Sequence, residues 1–583
     1  MSNHTISLPQ AIPATWTLPR IIEWLSRPVN LFFVLVAAVL AYLSLFPTFF
    51  LFFGSFRDEP LGVAGTLTLS NYYEAYVEEP TETLGLLSNS LIFAFASSTF
   101  SILIAMTLAW IAIRTNAPFK GLFELTAILP NVVPALLVSM SWVFLLNPTN
   151  GMINVFFNNV IGVKPFNIYS MGGLIWVEGM VTAPLAFLII AAALRSMDPA
   201  LEESAKTLGS SEVGLTWRIT FPLMRPAILA AWTLNFVRAM ESFDTPAIIA
   251  LPAGIEVFTT RIYREALESF PSNDNLAATY GVGLLFIALI FVYFYRRLTS
   301  RVERFTTVTG KGFRPHSIDL GKWKRLASGI ALVMLFLMVV VPLLTLILIS
   351  VLPYYHAPDW ESLRHLTLKH WADLYHQERV VKSIWASIRL AIFGATACIF
   401  FASCIAYITV KTKIAWRGVL EGLVFIPWAF PGTVLALGLL WAYVKFPIPI
   451  YNTLWIIGIA YVTRFLPFAL RTVSSTIIQI HNELEEASVA CGAGFIATFR
   501  RILIPLMRPG ILAGWILLVT IFMREFSASL FLSSAENEPI GPLLFWLYQD
   551  GFFGTVAALG VLISAISTCL VIMARRYARL QTE

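Results

Sequence analysis

The stretch "EESAKTLGSSEVGLTWRITFPLMRP" at residues 202–226 returns as "EEASVACGAGFIATFRRILIPLMRP" at 485–509. Glu-Glu, Gly, Arg-Ile, Pro and Met-Arg-Pro stand at the same spacing in both copies, 283 positions apart. Each copy begins polar and ends apolar, which predicts a short surface helix, a reversal of the chain, and then a new long helix. Pro199 behind Asp198 makes a good first-turn and N-cap pair. Gly209 and Gly492 free the backbone for a sharp turn, and Pro222 and Pro505 predict a second break. Arg225 and Arg508 sit where they reach phosphate headgroups or hold the loop. Two polar loops that keep ten of 25 residues at identical spacing amid diverged surroundings point to a shared binding partner. The plainer alternative is an amphipathic helix resting on a membrane surface.

Those surroundings are greasy. Of 583 residues 57% are hydrophobic and 13% charged, with a mean hydropathy of +0.75, whereas a soluble domain carries about 25% charge. This balance identifies a membrane protein. The 45 Phe and 17 Trp suit lipid-facing helices with aromatic belts. A spanning helix needs about 20 mostly apolar residues. Candidates lie at 31–53, 87–113, 122–146, 173–195, 226–250 and 277–296, then at 327–352, 383–410, 419–444, 452–473, 508–532 and 555–574. The expected fold is therefore all-α and polytopic, with twelve crossings. The N-terminal "MSNHTISLPQAIPATWTLPR" is polar and proline-broken, unlike a secretory signal. Cys398, Cys404, Cys491 and Cys569 form no CxxC or metal spacing and are expected to be small apolar fillers.

Basic residues collect on the cytoplasmic side of short loops. The segment from Arg296 to Arg325 holds nine Lys or Arg against Glu303 and Asp319, while the loop 54–86 has only Arg57 among six acids. Twelve crossings with both termini cytoplasmic place each loop on the expected side. The net charge of +6 is thereby sorted across a membrane and carries no nucleic-acid message. Six helices per half, in one orientation, make a parallel repeat. "IRTNAPFKG" (113–121) matches "VKTKIAWRG" (410–418), and Pro130 and Pro134 match Pro427 and Pro431, all at an offset of 297. Pro184 matches Pro467 at 283, because the first half carries a longer outer loop. The expected organisation is an N-terminal cytoplasmic segment 1–30, a first repeat 31–297, a basic linker 298–325, a second repeat 326–574 and a cytoplasmic tail 575–583.

The duplicated loop resembles the signature of ABC importer permeases: Glu-Ala-Ala, three residues, Gly, nine residues, Ile, any residue, Leu-Pro. The matching residues are Glu203-Ser204-Ala205, Gly209, Ile219 and Phe221-Pro222, then Glu486-Ala487-Ser488, Gly492, Ile502 and Ile504-Pro505. The departures are Ser for one Ala in each copy, and Phe or Ile for Leu. The resemblance implies the type I importer permease fold and two coupling helices, each docking into one of two separate ATP-binding subunits. Glu202, Glu203, Ala205, Gly209 and Pro222, with Glu485, Glu486, Ala487, Gly492 and Pro505, mark these docking sites. It also implies an extracytoplasmic solute-binding protein as partner, residence in a bacterial inner membrane, and ATP and Mg held by the partner subunits rather than by this chain. A phosphate-binding loop of the form Gly-x-x-x-x-Gly-Lys-Ser/Thr is indeed missing: Gly310-Lys311 and Gly321-Lys322 are followed by Gly and Trp.

A fused two-repeat chain of this kind is most similar to ferric-iron permeases, through "MESFDTPAIIALP" (240–252) and "MREFSASLFL" (523–532). Permeases for polyamines, thiamine, sulfate or aminoethylphosphonate share the architecture. The same segments place Arg238, Glu241 and Asp244, and Arg524 and Glu525, inside apolar runs, where ionisable groups usually face the bundle interior or a water-filled path. The acids suit a hard cation and the arginines an anion. Arg238 and Glu241 at i, i+3 equally suit simple pairing, so a path role and a structural role both remain open. Glu178, Arg389 and Arg464 are further charges of this sort. His356, His365, His370 and His376 have spacings that put no pair on one helix face, and their loop is expected to serve a docking binding protein rather than a metal. A secondary transporter is the competing class and does not explain the duplicated loop. A membrane enzyme would need clustered catalytic groups, and none is evident.

Overall fold

The computed structural model describes residues 28–60, 63–124, 133–302, 317–359, 361–412, 414, 416–444 and 450–579. Pro130, half of the basic linker (303–316), most of the N-terminal segment and the last four residues lie outside them. Among the described residues the chain is helical throughout, and extended pairing is confined to two isolated bridges. Among the described residues nine helices are long and apolar enough to cross a membrane, including Pro80–Arg114, Met171–Ser196, Glu378–Lys411 and Leu454–Ile478.

The other three expected spans depart from a simple rod, each for a visible reason. The third and ninth are interrupted. Helices Arg417–Phe425 and Gly432–Tyr443 are joined through a 3₁₀ turn at Pro427–Ala429. In the first repeat, helix Ala135–Leu146 likewise begins only after Pro134. Pro134 (φ −55°, ψ 144°) and Pro431 (φ −52°, ψ 144°) adopt the same extended conformation in the two repeats, as expected where proline cannot donate to the preceding turn. The fifth, Phe221–Glu241, is continuous but carries Arg225, Arg238 and Glu241. It does not run on to residue 250, because the chain opens at Ser242 and Phe243 and restarts as Asp244–Ile249. The eleventh repeats this: Ile504–Met523 ends, and Ser527–Leu532 follows.

Two compact units make up the chain, and neither coincides with one sequence repeat. One comprises residues 1–68, 379–543 and 566–583; the other comprises 69–378 and 544–565. Each unit thus holds the first helix of the opposite repeat. In the first unit, helix Pro28–Ser55 packs along Gly432–Tyr443. Gly438 lies so close to it that a methyl group there would meet the Pro47 carbonyl oxygen at 2.5 Å, and the Tyr443 hydroxyl donates to that of Tyr42 at 2.6 Å. Small residues permit such backbone approach in membranes, where no hydrophobic effect drives helices together. In the second unit, helix Val341–Val351 packs on Ala135–Leu146.

Inside each unit the second, fourth and fifth helices of the repeat form a bundle. The Trp232 indole donates to Thr99 at 3.1 Å, and the Trp515 indole donates to Thr396 at 3.0 Å. These are equivalent positions in the two repeats. The first bundle adds a buried polar junction, with the Asn235 amide donating to the Ser101 hydroxyl at 2.6 Å and to the Thr182 carbonyl at 3.2 Å. At the matching place in the second repeat stand Leu518, Cys398 and Phe465, an apolar solution to the same packing problem.

Candidate functional site

In the first copy of the duplicated loop, Asp198 caps helix Pro199–Thr207 by accepting from the Ala200 N–H at 2.9 Å. This satisfies one of the orphan donors that every helix start leaves. The helix ends at Gly209, whose φ is +84°. The Gly209 N–H bonds to the Lys206 carbonyl and the Ser210 N–H to that of Ala205, a Schellman closure that requires a left-handed residue. In the second copy, helix Asn482–Ala490 ends at Gly492 with φ +83°, and the Ala493 N–H reaches the Ser488 carbonyl at 3.1 Å. Nothing lies within 4 Å of a methyl group built on either glycine. Conformation, not space, demands glycine here.

The expected second break at Pro222 and Pro505 does not occur. A five-residue π turn, Thr216–Thr220 in one copy and Phe499–Leu503 in the other, leads directly into the next helix. Thr220 and Leu503 keep helical dihedrals. The prolines stand at the first positions of those helices, where a missing N–H is tolerated, and the wider turn ahead removes the clash that would otherwise kink the chain.

The two adjacent glutamates of each copy face different surroundings. Glu202 is 2% exposed and Glu203 lies on the surface. The Arg114 guanidinium, at the end of the second helix, donates to Glu202 Oε2 at 2.8 Å, and Thr220 Oγ1 donates to its Oε1 at 3.0 Å. Arg114 also reaches the Met197 sulfur at 3.2 Å. In the second copy, Lys411 Nζ lies 2.9 Å from Glu485 Oε1 and donates to the Ile480 carbonyl and to Asn482 Oδ1, both at 2.8 Å. Glu486 is exposed, as Glu203 is. Ala205 is buried under its helix, whereas Ala487 faces outward. Arg225 and Arg508 are exposed on the first turn of their spans. Arg114 and Lys411 were not among the residues expected at the site, although both close a long apolar run at an offset of 297.

A further junction belongs to the first copy. The Ile318 N–H donates to the Arg114 carbonyl at 2.7 Å, and the Asn116 N–H donates to that of Ile318 at 3.1 Å. Asp319 accepts from the Gly321 N–H and from Asn116, and these bonds hold its carboxyl below the usual range.

Arg389 bonds the Trp385 carbonyl within its own helix at 3.2 Å, whereas the other charges expected inside apolar runs gather at the two helix openings. Glu178 is 3% exposed and accepts from the Ser242 hydroxyl at 3.1 Å, while Ser242 gives its carbonyl to Thr259 at 2.8 Å. Asp244 begins the helix after this opening, Glu241 ends the one before it, and Arg238 is exposed one turn earlier. Glu525 stands at the matching opening in the other repeat and is committed there. It accepts the Ala528 N–H at 2.9 Å, the Ser529 N–H at 3.1 Å and Arg464 at 3.0 Å. Arg524 precedes it at the end of helix Ile504–Met523. The two openings are related in detail: Ser242 and Glu525 are equivalent positions, as are Glu178 and Tyr461, and the Tyr461 hydroxyl donates to the Glu525 carbonyl at 3.4 Å. One contact is kept while the carboxylate changes sides.

The histidines do not assemble. His370 meets the Leu352 carbonyl at 3.0 Å, and His356 stacks on Tyr354. Among the described residues no cluster of three or more His, Cys, Asp or Glu is placed to hold a metal. The cysteines are all free, but only Cys398 is fully buried, and Cys491 and Cys569 are exposed. The filler reading therefore holds for the first and not for the last two.

Paired helical repeats, long apolar helices and two matched polar loops define a multi-pass membrane transport component. Residues 97–304 and again 399–582 match the family of the binding-protein-dependent transport system inner membrane component, and the chain belongs to that family. The ferric transport system permease protein FbpB of Actinobacillus pleuropneumoniae is 27% identical over 526 residues, covering 86% of this chain and 74% of its own. The spermidine/putrescine transport system permease protein PotC of Escherichia coli is 24% identical over 259 residues, covering 44% of this chain and 96% of its own. Among solved structures, a bacterial ABC transporter for the acidic polysaccharide alginate aligns with a TM-score of 0.39 at 18% identity, covering 49% of this chain and 100% of that one.

Proposed function

We propose that this chain is the permease subunit of an ATP-driven importer whose two ATP-binding subunits dock on helices Pro199–Thr207 and Asn482–Ala490. The duplicated loop carries this reading, because each copy presents Glu203 or Glu486 outward beside a glutamate paired with a buried cation. ATP and Mg belong to those partners, and both termini lie on their side of the membrane. Closure of the ATPase pair draws the loops together and reorients the spans that follow Pro222 and Pro505. Cargo released by a docked binding protein then enters the path. Ferric iron is the cargo favoured by the likeness to the ferric permease over most of the chain; a polyamine is the second reading, favoured by the likeness to the spermidine/putrescine permease. Arg238, Glu241, Asp244 and Arg524 are the candidate path charges, with Glu525 fixing the opening beside them.

The test is reconstitution with the cognate ATPase and binding protein, measuring ATP hydrolysis with ferric-loaded and spermidine-loaded binding protein. Stimulation by the ferric form, lost in Glu203→Ala/Glu486→Ala, is the expected result. Stimulation only by spermidine removes iron and keeps the importer. Uptake with no ATPase present refutes the whole proposal.

A further inference from the structure

We propose that Arg114 and Lys411 are positioning residues of the two loops: each clasps the first glutamate of its loop to the end of the second helix, so that loop displacement moves the bundle instead of being absorbed locally. The proposal deepens the docking reading above and rests on it.

The geometry is duplicated although the intervening chain is not. Arg114 and Lys411 differ by 297 positions and Glu202 and Glu485 by 283, so the two pairs close across stretches of different length. Both cations are 3% exposed. In the first clasp the carboxylate of Glu202 ties three segments at once: the helix Pro80–Arg114, the docking helix that carries it, and the π turn Thr216–Thr220 that starts the next span. In the second, all three Lys411 donors are used, on Glu485, the Ile480 carbonyl and Asn482. Leu503 replaces Thr220, and a Ser488–Thr498 hydroxyl bond of 2.9 Å ties the docking helix to the segment that follows it.

Position on the helix assigns the labour. Consecutive helical residues are about 100° apart around the axis, so Glu202 and Glu203, or Glu485 and Glu486, are directed to different faces. One is an anchor, the other a contact. A buried ion pair adds little net stability against an apolar replacement, yet losing one partner leaves a charge without compensation. Its value here is geometric: a desolvated, charge-assisted contact resists the reorientation that a solvated loop permits. The first clasp is braced further, because the Arg114 backbone also pairs with Ile318 at the end of the linker.

The experiment compares wild type, Arg114→Met, Lys411→Met, Arg114→Lys and the exchange Arg114→Glu/Glu202→Arg, each reconstituted with ATPase and ferric-loaded binding protein. ATPase association, stimulated hydrolysis and cargo moved per ATP are read separately. Both methionine variants are expected to keep ATPase association while cargo per ATP falls by roughly tenfold, inside the range of ordinary coupling free energies. Arg114→Lys, which keeps the charge as the second repeat does, restores most of it. Unchanged cargo per ATP in both methionine variants, with association intact, overturns the clasp alone. Should a methionine variant not fold, Arg114→Lys and the exchange decide: no recovery in the exchange together with full coupling in Arg114→Lys supports the geometry, and equal loss in both overturns it. Absence of stimulation in wild type refutes the docking reading instead.

Discussion

Replacing Gly209 tests how the first docking helix ends. Its φ of +84° lies in the left-handed region, and a methyl group there would touch nothing within 4 Å. The penalty for alanine is therefore backbone strain alone, about 1–2 kcal/mol for an L-residue held left-handed, which corresponds to an opening of the helix end about 5- to 30-fold more frequent. Asn tolerates this region better and Val worse, so Gly209→Asn, Gly209→Ala and Gly209→Val should form a rising series. Amide hydrogen exchange over residues 199–210 in the detergent-solubilised chain reads it, with the bundle amides of 80–114 as an internal reference. Gly492, at φ +83°, should give the same series in its own loop. Equal protection in all three variants would show that the helix does not terminate through a left-handed residue, and the reasoning would be wrong for both copies.

Three further outcomes follow from the packing. Gly438→Ala should lower the thermal unfolding midpoint and loosen helix Pro28–Ser55 in particular, because its methyl group overlaps the Pro47 carbonyl; an unchanged midpoint would mean the two helices separate at no cost. Asn154 is fully buried and bonds the Leu146, Asn147 and Phe166 carbonyls and the Phe166 N–H, so Asn154→Leu should destabilise the 147–170 loop by about 1–3 kcal/mol through unpaired backbone, seen as faster proteolysis there. Asp359 accepts the Ser362 N–H at 2.8 Å, which holds its carboxyl below the usual range. A depressed folded value means its contribution is present above the unfolded pKa and lost as pH falls through the folded one. Exchange around 359–365 should accordingly rise on acidification below about pH 4, and Asp359→Asn should remove that dependence.

Much of this was legible because a membrane imposes length and hydropathy on whatever crosses it. Duplication then made the polar loops stand out, and Gly209 and Gly492 announced their own conformation. Contacts between residues distant in sequence were not legible. The partner of Glu202 lies 88 residues away, and only its charge at the end of an apolar run hinted at it. The openings at Ser242 and Glu525 were hidden because apolar residues continue past them, so hydropathy reads straight through a point where the backbone bonds to side chains. Pro222 and Pro505 misled in the opposite sense: proline reports a missing donor, but the π turn that absorbs it leaves no mark in composition.

The exchanged first helices set an order of events during synthesis. Pro28–Ser55 enters the membrane early, yet the surface it packs on, Gly432–Tyr443, is 377 residues further along the chain. At about 5–20 residues per second it waits roughly 20–75 s in lipid with its Gly54 and Pro47 faces uncovered. Only 28% of its most apolar 18-residue stretch is buried in the finished protein, which suits a helix that must be content in lipid alone before it has a neighbour. The chain is thus threaded rather than assembled half by half, and a helix formed early is among the last to be used.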